Sequence, residues 1–145
     1  MNAWSGAPLR RRVGDVKEAG VLKVVRREEA KVFPLPGRDW FLYIGPENSP
    51  ARHLTVSVSV FPPGSKPEGH VHEAEEETVY VVSGHGRLVT PEASADLEPG
   101  VAVWIPIGTY HVTESDGPEP LEMVCAFSPP IVPGGCECGQ GGQGA

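Results

Sequence analysis

Three histidines and a carboxylate stand at intervals that could place them around one ion: His70, His72, a glutamate from Glu73, Glu75, Glu76 and Glu77, and His111. Imidazole nitrogen and carboxylate oxygen are donors for borderline divalent metals, and four of them leave open positions for a small molecule. His70 and His72 are two residues apart, so on an extended chain both imidazoles project from one face, with Val71 on the other. Glu77 lies five residues beyond His72 at the start of a strand-like run, where an antiparallel return would bring its carboxylate back to the imidazoles. His111 follows Pro106, Ile107 and Gly108, a turn that would aim it. Three neutral imidazoles and one carboxylate leave a divalent ion with a net charge of about +1, which attracts an anionic or oxygen-chelating small molecule. The donor set does not select the metal: iron, manganese, nickel, cobalt and zinc all accept it.

Short strands must position these residues. From Leu54 to Phe61 the alternation is plain, with Val56, Val58 and Val60 on one face and Thr55, Ser57 and Ser59 on the other. Thr78 to Val82 is strongly β-branched and ends at Ser83, Gly84, His85 and Gly86, which reads as a hairpin turn with Arg87 to Thr90 as the return strand. Val101 to Ile105, Tyr110 to Glu114 and Leu121 to Phe127 follow, and Val21 to Val25, Val32 to Leu35 and Trp40 to Ile44 precede. The chain's 18 glycines and 16 prolines recur between these runs, as tight turns require, and no run supports a helix of three turns. The fold class is all-β.

At 145 residues the chain suits one core. The expected organisation is a flexible arm over residues 1–20, one β domain over 21–128 and a Gly-rich disordered tail over 129–145. Residues 1–40 carry nine Lys or Arg against five Asp or Glu, whereas 41–145 carry three against fourteen. The acidic body disfavours nucleic acid, and the basic arm reads as lying along an acidic body, its own or a partner's. No apolar run is long enough for a bilayer or for a signal peptide, so no membrane association is expected and the location is read as cytoplasmic. Three cysteines, Cys125, Cys136 and Cys138, make no disulfide framework, and two thiols in the tail are an incomplete metal site.

The joint spacing goes further. Gly64, His70, His72, Glu77 and Gly84 resemble the first motif of the cupin superfamily, and Gly100, Pro106, Gly108 and His111 resemble the second. The likeness spans roughly Leu54 to Phe127, and it departs from the pattern at Ser115, where cupins often have Asn. It implies a double-stranded β-helix, that is, a jelly-roll or cupin barrel, with His70, His72, Glu77 and His111 holding one divalent transition metal inside. The interval to Gly84 selects Glu77, with Glu76 as the fallback and Glu73 and Glu75 as solvated charges. Ser115, on the same strand face as His111, could donate a hydrogen bond into the pocket. Trp104, Tyr43, Tyr80 and Phe127 are the candidate pocket aromatics, while Arg52, Lys66 and Arg87 are the cations beyond residue 40. His53 and His85 read as ordinary exposed residues.

Cupins span dioxygenases, isomerases, decarboxylases, lyases and non-catalytic binders of sugars or organic anions. The resemblance therefore implies a metal-dependent small-molecule enzyme, a dioxygenase ahead of the others, with ligand binding or sensing without turnover as the alternative. No catalytic residue beyond the ligands is assigned. A homodimer is expected, with the basic segment from Val21 to Leu35 pairing across a twofold axis to cover an exposed sheet edge.

Overall fold

β-branched and aromatic runs broken by Gly and Pro become nine strands in the computed structural model, which describes residues 22–131. After a 3-10 turn at Arg27–Glu29 come β1 (Lys31–Leu35), β2 (Arg38–Ile44), β3 (Thr55–Phe61), β4 (Glu76–Ser83) and β5 (Gly86–Val89). β6 (Ser94–Leu97), β7 (Ala102–Ile105), β8 (Val112–Ser115) and β9 (Leu121–Ser128) complete the set. The run from Val21 to Val25, expected as a strand, forms none over its described part, residues 22–25. The arm over 1–20, the tail beyond residue 131 and Cys136 and Cys138 lie outside the described residues. No helix among the described residues is long and apolar enough to cross a membrane.

Six strands form one sheet in the order β1-β2-β3-β9-β4-β7, and three form a second in the order β6-β5-β8. Both sheets are open, so the expected closed double-stranded β-helix barrel is corrected to a two-sheet, cupin-like all-β fold. The gap has a chemical cause in the segment joining β3 to β4. Pro62, Pro63 and Pro67 bring no N–H to a ladder, and this segment makes one isolated antiparallel bridge, His70 with His111, in place of a strand.

A second correction concerns Ser83 to Gly86, which is no hairpin turn. β4 pairs with β7 and β9, whereas β5 pairs with β6 and β8, so these residues carry the chain from one sheet to the other. Gly84 has φ +82°, and a Cβ there would collide with the Pro120 carbonyl oxygen. The crossing needs a left-handed residue with no side chain. The true hairpin partner of β5 is β6, whose Ser-Ala-Asp-Leu sequence has little β propensity and is held by register to β5.

The core lies between the sheets. Val79, Val81, Leu88, Leu97, Leu121 and Met123 form its centre, and β4 and β9 alternate strictly between buried and more exposed positions. On β3 the inward residues are Thr55, Ser57, Ser59 and Phe61, and the hydroxyls are satisfied internally. Trp40 Nε1 donates to Ser57 Oγ at 2.8 Å, and Thr55 Oγ1 bonds both the carbonyl and the N–H of buried Ile131.

Candidate metal centre

His70 and His111 exchange both backbone hydrogen bonds at 3.0 Å, which makes them a directly opposed antiparallel pair and brings their rings to 4.4 Å between centroids. The Gly108 N–H donates to the His72 carbonyl at 2.9 Å, tying the turn at Pro106 to Gly108 beside the same segment. Glu77 enters from the large sheet. As the second residue of β4, paired with Ile105 and Phe127, it occupies an inward position in a strand whose next inward residues are Val79 and Val81. Strand parity thus fixes the choice among the glutamates. Glu76 points outward, where it accepts a hydrogen bond from Trp104 Nε1 at 2.9 Å, and Glu73 is exposed.

The four side chains converge. One donor atom from each of His70, His72, Glu77 and His111 lies within 4.8 Å of all the others, and only His70 is more than marginally exposed. Ligands bound about 2.1 Å from one ion sit roughly 3–4 Å apart, which this spacing accommodates. His70 Nε2 and His72 Nε2 are 3.1 Å apart. Glu77 Oε2 lies 3.2 Å from His72 Nε2 and 3.4 Å from His111 Nε2, yet among the described residues no hydrogen bond closes on this buried oxygen. His111 Nδ1 meets the Thr109 carbonyl at 2.9 Å, and a carbonyl only accepts, so this nitrogen carries the proton and Nε2 of the neutral ring offers a lone pair. A lone pair facing a buried carboxylate oxygen is repulsive unless a cation or proton lies between them.

Electrostatics in the metal-free cluster act differently on its members. Burial, with the His111 and His72 charges adding to it, pushes the His70 imidazole down to about 3, so it stays neutral and able to bind metal. Burial alone would raise the Glu77 carboxyl, but the imidazoles of His111 and His72 hold it down at about 2. For His111 burial is outweighed by Glu77, and the ring's proton affinity rises. These buried groups form a three-His, one-Glu cluster able to coordinate a single divalent transition-metal ion.

The cluster opens onto a cavity whose other walls the sequence placed only in part. Phe127 lines it and packs edge-on against His72, with centroids 5.2 Å apart. Trp104 and Tyr80 do not line it: they are 61% and 49% exposed on the outer face, because Glu77 inward forces Thr78 and Tyr80 outward. Tyr43 is also absent from the lining, and Phe33, Trp40 and Phe61 stand there instead. Of the cations, Arg52 and Lys66 are exposed and Arg87 pairs with Asp96 at 3.5 Å; the cation that lines the cavity is Arg38. Alternation from Trp40, two residues along β2, was the signal for it. Ser115 is buried but does not line the cavity, and its hydroxyl has no partner among the described residues. His53 and His85 are exposed, as expected.

The family model for the cupin domain matches residues 57–127. No curated protein matches the chain. Among solved structures, the polyketide cyclase RemF from Streptomyces resistomycificus is 23% identical with a TM-score of 0.64, covering 74% of this chain and 79% of its own. KdgF from Halomonas sp. is 23% identical with a TM-score of 0.63, over 74% and 93%. Ectoine synthase from P. lautus is 16% identical with a TM-score of 0.67, over 77% and 80%. With the two open sheets and the motif match, these likenesses establish a small single-domain protein of cupin-superfamily fold.

Proposed function

We propose that this protein is a metal-dependent enzyme acting on a small molecule, with His70, His72, Glu77 and His111 as the ligands of one divalent transition metal, and that its reaction is a dioxygenation. The observation that carries the reading is the buried cluster opening onto a mainly apolar cavity. Iron(II) held by such donors supplies dioxygen activation beside a chelating substrate. The chain's own part is to hold and to exclude. The Thr109 carbonyl fixes the His111 tautomer, and Phe127 seats the His72 ring. Phe33, Trp40 and Phe61 give the substrate a poorly hydrated wall.

Isomerase, decarboxylase or lyase chemistry needs a proton donor or acceptor at the substrate. Outside the cluster, the carboxylate lining the cavity is Glu68, which is exposed, and the Cys125 thiol is pushed up by burial. The same scarcity favours a second reading, in which the metal fixes a small anion without turnover. Oxygen uptake by the iron-loaded protein, measured with 1,2-diols, β-diketones and α-hydroxy acids, separates them. Uptake with product supports the dioxygenase, and binding without uptake selects the second reading.

A cytoplasmic homodimer belongs to the same proposal. It is supported, among the described residues, by the outer edge of β1, which pairs there only with β2, and by Cys125, which forms no disulfide there. A monomeric mass at micromolar concentration would remove the dimer from it.

A further inference from the structure

Arg38 is a cation in the cavity that is not one of the four donors, although the Glu77 charge acts on it. It opens β2 directly after Pro36 and Gly37, and its side chain shares the inner face with Trp40 and Leu42. The guanidinium carbon stands 5.7 Å from the centroid of the Phe61 ring. Among the described residues it forms no ion pair with a carboxylate. Glu68, which also lines the cavity, is exposed and does not pair with it.

The position of Arg38 is built. Gly37 has φ +75°, and a Cβ there would stand 2.8 Å from Pro67 Cβ, so the β1–β2 turn is pressed against the segment that continues into His70. Ser65 Oγ donates to the Gly37 carbonyl across that contact. One clasp therefore locates both the guanidinium and the two histidines. Burial lowers the guanidinium from its ordinary value, as for a cation withdrawn from water, although arginine stays charged in proteins.

Charge counting then points to a ligand. Once a divalent ion sits on three neutral imidazoles and one carboxylate, that centre is about +1 and Arg38 adds another positive charge in the same cavity. Outside the cluster the lining anion is Glu68, which is exposed and not paired with Arg38, so the cavity keeps positive charge for a ligand to meet. A guanidinium meets a carboxylate through two parallel hydrogen bonds, and the apolar wall beside it suits a hydrocarbon body.

We propose that Arg38 is a specificity-determining residue that binds the carboxylate of an organic acid, the acid's apolar part lying against Phe33, Trp40 and Phe61. This deepens the proposed function and rests on its metal centre for the ligand's second contact. The test uses cobalt(II)-loaded protein, whose visible spectrum reports ligands at the ion, with mandelate as probe and mandelamide as its uncharged analogue. Titration is followed by that spectrum and by calorimetry. The wild type is expected to bind mandelate about ten-fold or more tightly than mandelamide. Arg38→Gln should lose that preference, with metal content and mandelamide affinity unchanged. Arg38→Lys, which keeps stem and charge, should retain part of it and serves as the folded control.

Equal mandelate affinity in Arg38→Gln, or a wild type that binds neither probe or does not prefer the acid, overturns the proposal. Failure of the metal reading looks different. There, cobalt would not bind the wild type, whereas mandelate binding by calorimetry would still depend on Arg38 if this inference holds.

Discussion

The two ends of the cavity are built by different means. At one end four polar side chains meet from a proline-rich segment, the start of β4 and the residue before β8, and backbone hydrogen bonds between His70 and His111 hold two of them together. At the other end, β1, β2 and β3 present Phe33, Arg38, Trp40 and Phe61 from the inner face of the large sheet. The first end is set by residue type at short intervals; the second is set by strand parity and sheet order. A metal needs particular donors, whereas a ligand wall needs only shape, apolar area and one well-placed charge.

If the ends are separable in this way, the largest effect comes from breaking the first. His72→Ala should lower metal affinity by more than about 100-fold, since loss of mere supporting contacts already costs 10 to 100-fold. Where free metal stands about a thousand-fold above its dissociation constant, the wild type gains about 4 kcal/mol from binding, and the variant loses that thermal protection. Metal analysis and melting curves with and without chelator check both. Arg38→Gln should leave metal content and its thermal protection intact. Equal metal loss in the two variants would show that the cavity acts as one unit.

This difference also explains what the sequence could and could not disclose. The cluster was legible because His70, His72, Glu77 and His111 keep fixed distances from glycines and a proline that turn the chain. Glu77 could even have been chosen without a family pattern, because inward Val79 and Val81 share its parity on β4. The same parity, carried through, excludes Tyr80 from the cavity. Arg38 was read as part of a basic arm with Arg26 and Arg27, although it shares strand parity with Trp40 and Leu42; the pairing of β2 with β3 turns that face inward. The barrel expectation and the hairpin expectation failed for one reason: prolines and glycines show where a ladder stops, but not which sheet the next strand joins.

The metal-free protein offers a pH test of the first end. His70 has its folded pKa depressed to about 3, so between there and its ordinary value near 6.5 the unfolded chain takes up a proton that the folded chain refuses. Stability should therefore fall as pH drops from about 6.5 toward 3. Glu77, also depressed, contributes in the same direction below its ordinary value. His111 is raised and opposes: its contribution is present below about 6.5 and is lost as pH climbs through its folded pKa. Urea midpoints of the chelated protein across this range should show the fall, and His70→Gln should flatten it. An unchanged slope in that variant would mean His70 is not shielded as its burial indicates.

Gly84→Ala probes the crossing that joins the two sheets without touching either end. The added Cβ meets the Pro120 carbonyl oxygen at a left-handed backbone angle, so a cost of about 2 kcal/mol or more is expected. Denaturant unfolding measures it, with metal bound per folded molecule unchanged. If the metal were lost in proportion, the crossing would be part of the site's support.

The smallest effect sharpens the second end. Trp40 does two things there: its ring forms cavity wall, and its Nε1 donates to Ser57 Oγ beneath the sheet's inner face. Ser57 Oγ in turn reaches the Cys125 carbonyl at 3.3 Å, so loss of the indole leaves the hydroxyl one bond rather than none. Trp40→Phe keeps an aromatic wall and removes the donor, which should cost about 1 kcal/mol of stability for the bond plus a share for the smaller ring. Ser57→Ala strips the acceptor and strands the indole N–H in the core, so it should cost at least as much although it removes only one atom. The double variant should then be less destabilised than the two single costs together, because the unpaired partner is gone. A strictly additive cycle would show that the 2.8 Å bond contributes nothing, and that this wall is held by apolar packing alone.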